Sequence, residues 1–102
     1  SWETFSDLER MRISIFLRAL VQKLEGQYYL YRYEQLEEGL WNNRSTFVSG
    51  LLTLPFVQKW WSIEKELLVY SDEFVSAIDS TQPLSINTVQ LVAKNQPTNN
   101  TP

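Results

Sequence analysis

Cysteine and histidine are both absent from the 102 residues. Their absence excludes disulfides, thiolate nucleophiles, imidazole acid–base catalysis and any zinc site built on Cys or His ligands. It does not choose between a reducing and an oxidising compartment. No run of about 18 apolar residues exists, so no segment reads as a transmembrane helix. The opening SWETFSDLERMR has neither a basic n-region nor an apolar h-region, so no signal peptide is expected. Nine Lys and Arg against twelve Asp and Glu leave a net charge of −3. That balance is wrong for a general polyanion binder, whose affinity comes from neutralising phosphates. Arg10, Arg12, Arg18 and Lys23 do cluster near the start, but Asp7, Glu9 and Glu25 are interleaved with them, the pattern of a charge-laced exposed surface. No nucleic-acid partner is expected.

Proline and glycine are also scarce, and their positions punctuate the chain. Between Phe5 and Glu38 there is no proline and one glycine, Gly26, among mostly good helix formers. At a rise of about 1.5 Å per residue this predicts a helix about 50 Å long. Ile13, Leu17, Leu20, Leu24, Tyr28 and Tyr31 recur at three-and-four spacing and form one apolar stripe. A second set lies roughly opposite: Phe5, Leu8, Met11 and Ile15 at the start, then Tyr29, Tyr33, Leu36 and Leu40 at the end. Arg18, Gln22 and Gly26 interrupt it. Gly39 is placed to close the helix in the left-handed conformation. Trp41, Phe47, Val48, Leu51 and Leu52 suit a short second helix capped by Asn42, Asn43 or Ser45. Pro55 suits the first turn of a third, where its missing N–H is no loss. In that helix Phe56, Trp60, Ile63 and Leu67 share a face, whereas Trp61 is in phase with Val57 and Leu68. Ser71, followed by Asp72 and Glu73, is an N-cap with acids in the first turn of a fourth helix, whose inner edge is Phe74 and Ile78. The expected fold is all-α: one long helix followed by three short helices in a domain spanning 1–80. Residues 81–102, rich in Ser, Thr, Asn, Gln and Pro, read as a polar, flexible tail in which 86–93 can form a strand or a helical turn only against a neighbour.

With His and Cys missing, the groups left for acid–base chemistry are carboxylates, lysines and tyrosines. The densest carboxylates, Glu34, Glu37 and Glu38, sit at a helix end, where consecutive side chains diverge by about 100°. Glu64 and Glu66 are no better arranged. Di-iron bundles need Glu-x-x-His pairs, and no stretch has EF-hand spacing. The expectation is therefore no catalytic residue, no metal site and no cofactor. Aromatics make up 14% of the chain. Tyr28, Tyr31, Tyr33, Trp41, Trp60 and Trp61 form either an aromatic core or the wall of a pocket for a small apolar ligand, and spacing does not separate the two. Phe5, Leu8, Met11, Ile15 and Leu17 are candidate interaction residues, because three short helices can cover only part of the long one. A homo-oligomer paired through the long helix is the expectation that this imbalance produces.

The segments Gly39-Leu40-Trp41, Pro55, Trp60-Trp61 and Phe74 to Asp79 resemble a pattern in uncharacterised bacterial membrane-anchored proteins. There, transmembrane helices precede a soluble helical region, a domain of unknown function. The resemblance covers residues 12–79 and implies an anchor upstream of Trp2 and a cytoplasmic place at the inner face of the membrane. It brings no catalytic residues.

Overall fold

The computed structural model describes residues 1–67 and 69–85. Four α-helices succeed one another: α1 (Asp7–Arg32), α2 (Glu38–Leu51), α3 (Pro55–Glu64) and α4 (Asp72–Ser80). Two 3-10 turns, Trp2–Thr4 and Lys65–Leu67, precede α1 and extend α3. The described residues contain no strand. The all-α architecture of one long helix and three short ones is therefore as the sequence predicts.

Several details differ, each for a local reason. At its start α1 has a capping box: Glu9 N–H donates to Ser6 Oγ at 3.1 Å and Ser6 N–H to Glu9 Oε1 at 2.8 Å. At its end it stops at Arg32, well short of the expected boundary near Glu38, and it is about 39 Å long instead of about 50 Å. Glu34, not Gly39, takes the left-handed conformation, at φ 60°. Gln35 N–H then reaches back to Leu30 O at 2.7 Å and Glu34 N–H to Tyr31 O at 3.0 Å. This is the Schellman pattern, with a glutamate at the position glycine usually takes. Gly39 instead lies in the first turn of α2, which starts at Glu38 without a side-chain cap, so Asn42, Asn43 and Ser45 are interior to that helix. Pro55 and Ser71 act as expected. Pro55 opens α3, and Ser71 Oγ accepts from Phe74 N–H at 3.1 Å.

The core collects one row from each helix: Leu17, Val21, Leu24 and Tyr28 from α1; Trp41, Val48 and Leu52 around α2; Val57, Trp60 and Trp61 from α3; Phe74 and Ile78 from α4. Val21, outside the expected stripe, is fully buried, while Ile13, Leu20 and Tyr31 are only half-buried. Small Ser45 and Ser49 on the inner side of α2 add no bulk where that helix meets the others, and both are buried. Along its shortest axis the molecule measures 19 Å, about two helix diameters. Among the described residues, the buried side chains of α1, Leu17, Val21, Leu24 and Tyr28, share one side of it, and the opposite side is exposed.

Residues 81–85, assigned to the tail, return along α2: Leu84 N–H donates to Thr46 O at 2.9 Å, and Thr81 Oγ1 to Ala77 O at 2.7 Å. The expectations for 86–102, and for Leu68, lie outside the described residues.

A candidate interaction surface on the long helix

The aromatic residues form an almost continuous chain through the core. Tyr31 stacks on Trp41 with centroids 5.7 Å apart, and Trp41 meets Tyr28 at 5.4 Å. Tyr28 meets Phe74 at 5.9 Å, Phe74 meets Tyr70 at 6.1 Å, Tyr70 meets Trp61 at 5.5 Å, and Trp61 meets Trp60 at 6.2 Å. These rings come from all four helices and the segment before α4. Neighbours at such separations are in contact, so the rings fill the space between the helices. Both indoles of α3 point inward, along the row Val57, Trp60, Trp61 and Glu64. The expected face through Ile63 and Leu67 is instead about half exposed. Tyr33 is the exception among the six aromatics. At 74% exposed it belongs to neither a core nor a pocket, because the early stop of α1 leaves it on the turn.

Polar side chains at the edge of this core tie α1 to α3 and α4. Arg18 donates twice to Glu64, Nε to Oε2 at 2.6 Å and Nη2 to Oε1 at 2.7 Å. Tyr70 Oη donates to the same Oε2 at 2.8 Å. Glu64 is 2% exposed, so three charge-assisted bonds replace its water. The Arg18 guanidinium is the main cause holding the Glu64 carboxyl below the usual carboxylate range, with the Tyr70 hydroxyl adding to it against the opposing effect of burial. Burial, then the Glu64 bond, raises the Tyr70 hydroxyl well above the ordinary tyrosine value. Further along α1, Glu25 Oε2 accepts Ser71 N–H at 2.9 Å, Tyr29 Oη meets Ser71 Oγ at 2.6 Å, and Arg32 pairs with Glu73. On α3, Trp61 Nε1 donates to Asp79 Oδ1 at 3.1 Å. Spacing alone places Arg18 among surface charges and Glu64 as an isolated carboxylate. Only their phase carries a signal, since Glu64 continues the inward row of Trp60 and Trp61.

This network binds helices together. The carboxylates Glu34, Glu37 and Glu38 are all exposed on and beside the α1–α2 turn. Among the described residues no group of three His, Cys, Asp or Glu could hold a metal ion, and no helix is long and apolar enough to cross a membrane. A cleft of about 350 Å³ lies between α2, α3 and α4, lined by Ser49, Trp61, Lys65 and Asp79 among others. Lys65 and Asp79 pair with each other at 3.1 Å there, which leaves the wall neutral.

The surface that the fold leaves uncovered is the side of α1 facing away from Leu17, Val21, Leu24 and Tyr28. Leu8, Met11 and Ile15 are 50, 54 and 61% exposed. Phe16, which stands one position outside the apolar set expected from the sequence, is 69% exposed. Two of the expected interaction residues are elsewhere. Leu17 is buried in the core. Phe5 is half-buried and meets Phe56 edge to face at 5.7 Å, because the 3-10 turn folds the start of the chain onto α3. Further along the outward side come Ala19, Gln22, Gly26 and Leu30, all exposed, and then Tyr33. A Cβ added at Gly26 would meet nothing within 4 Å. Smaller apolar groups are exposed around the end of α3 at Ile63, Leu67 and Val69.

Comparisons with protein-family models, with curated proteins and with solved structures give no match to this chain.

Proposed function

We propose that this chain is a noncatalytic interaction and assembly domain that self-associates through the outward face of α1. The observation that carries the reading is the exposure of Leu8, Met11 and Ile15, which share one face over two turns of one regular helix, with Phe16 exposed beside them. Monomeric proteins scatter single exposed apolar residues, whereas a contiguous strip marks a surface that something covers. A second copy is the commonest cover, since one self-complementary patch serves both subunits. The polar network supports the same reading: its charged groups are engaged in holding α1 in place. The ligand-binding alternative draws no support from the aromatic cluster, whose rings pack against one another. The resemblance to membrane-anchored bacterial proteins supplies the setting, the cytoplasmic part of such a protein at the inner face of the membrane.

Sedimentation equilibrium on the 102-residue chain tests this. Self-association that Leu8→Glu and Ile15→Glu abolish, with helicity retained by circular dichroism, is the expected result. Leu17→Glu is unsuitable as a probe, because it would place a charge in the core and unfold the domain. A strict monomer at about 1 mM, where even weak contacts form, overturns the proposal.

A further inference from the structure

Resting on that reading, we infer that two copies pair through α1 antiparallel, about a two-fold axis passing between Leu20 and Val21, with Ile15 of each copy seated against Gly26 of the other. Along this side of α1, positions recur at alternating steps of four and three: Leu8, Arg12, Ile15, Ala19, Gln22, Gly26, the half-buried Tyr29 and Tyr33. This is the heptad spacing of a two-helix seam. In an antiparallel seam each position of one class faces the other class across the axis. Centring the pair between Leu20 and Val21 satisfies this for every layer at once: Leu8 faces Tyr33, Arg12 faces Tyr29, Ile15 faces Gly26, and Ala19 faces Gln22.

Size and charge select this arrangement over its rivals. The branched Ile15 meets the one outward position with no side chain, and the small Ala19 meets the longer Gln22. Gly26 lies in a helix interior, is exposed and has open space above it, so nothing within one copy explains a residue that weakens the helix. Close approach by another copy does explain it. A parallel in-register pair would face Gly26 with Gly26, leaving a gap, and stack Arg12 on Arg12 and Lys23 on Lys23. The antiparallel pair moves the two Arg12 side chains about 25 Å apart along the axis, beyond a Debye length of about 8 Å. It leaves Lys23 near its mate, at the rim on a long flexible stem, and Arg18, neutralised by Glu64, equally near its own. A lipid surface fits the strip less well. Its middle, Ala19, Gln22 and Gly26, offers little to insert, and Arg12 and Lys23 are the only basic residues on the face, in a chain of net charge −3. The strip, about 39 Å long and about 10 Å wide on each copy, covers about 800 Å² between the two, the size of a weak, transient contact. That is below the roughly 1,000 Å² of a stable specific interface, so the dimer is weak and concentration-dependent.

The absence of cysteine makes the test direct. Leu8→Cys and Tyr33→Cys variants are oxidised singly and as an equal mixture, at a concentration where the parent chain is dimeric. Antiparallel pairing gives disulfide-linked dimers only in the mixture, because like positions lie about 37 Å apart. In parallel, Gly26→Ile weakens association roughly tenfold or more while preserving helicity, and adding Ile15→Ala in the same chain restores it by exchanging the large and small members of the layer. Cross-linking of either single variant with itself overturns the antiparallel register and leaves the self-association reading standing. Cross-linking in the mixture without rescue by the exchanged pair overturns the Ile15–Gly26 contact. A chain that stays monomeric and binds phosphatidylserine vesicles overturns both the register and the self-association on which it rests.

Discussion

At the scale of single residues, Glu34 and Glu64 carry the clearest consequences. Glu34 holds a left-handed conformation at φ 60°, which L-residues adopt against a penalty of about 1 kcal/mol. Glu34→Gly removes the penalty and should stabilise the domain by about 0.5–1 kcal/mol in thermal unfolding, whereas Glu34→Ala should not. Glu64 is ionised and buried, with its folded-state pKa depressed chiefly by Arg18. The unfolded chain binds its proton near the ordinary glutamate pKa of about 4.3, so the stability this pair contributes is present above that value and is lost as pH falls toward the folded pKa. Tyr70 acts at the other extreme. Its raised pKa means that the unfolded state ionises first, above about pH 10, and stability falls as pH rises from there. Arg18→Ala should lower stability by about 2–3 kcal/mol at neutral pH, less than a fully buried pair because the guanidinium is partly in solvent. It should also reverse the acid side of the profile, because a buried carboxyl without its cation is stabilised by protonation. Urea midpoints between about pH 3 and pH 8 check this, and an unchanged slope in Arg18→Ala would remove the ion pair from the account.

At the scale of elements, α3 is the piece on which the core turns. Trp60 is 2% exposed, and Trp60→Ala should cost about 3–5 kcal/mol, read as a large drop in the unfolding temperature. An unchanged temperature would show that the ring lies outside the packing. How much of this is legible in the sequence depends on which interaction sets each boundary. The starts of α3 and α4 are readable because Pro55 and Ser71 act through their own local chemistry. The end of α1 is not. A left-handed glycine is the usual terminator, yet here a glutamate takes that role and Gly39 enters the next helix, where Trp41 stacks on Tyr31 across the turn. The phase of α3 is equally hidden. Helical periodicity separates Trp60 from Trp61 by about 100°, but a helix with neighbours on two sides buries both. The exposed strip on α1 is legible at Leu8, Met11 and Ile15 from the shortage of helices to cover it. The Arg18–Glu64 bond is not, since no local pattern joins residues 46 apart.

At the scale of the whole molecule, the helices of the described residues leave α1 with one covered side and one bare side. If a second copy covers the bare side, stability becomes a function of concentration. The unfolding temperature should rise as protein is increased from about 1 μM to about 1 mM, and Ile15→Glu should abolish that dependence without lowering the dilute-limit value. A temperature independent of concentration would argue against any assembly. The spacing of the polar ties has a further consequence, which concerns synthesis. Arg18 meets Glu64, and Glu25 meets the Ser71 backbone, each across 46 residues. A ribosome adding about 5–20 residues per second therefore releases the apolar row of α1 roughly 2–9 s before α3 and α4 can be secured to it. During that interval only α2, through Trp41 and Val48, is at hand to shield Leu17, Val21, Leu24 and Tyr28. The order of emergence makes the α1–α2 hairpin the first of these helix pairs able to form, with α4 seated last of the four helices.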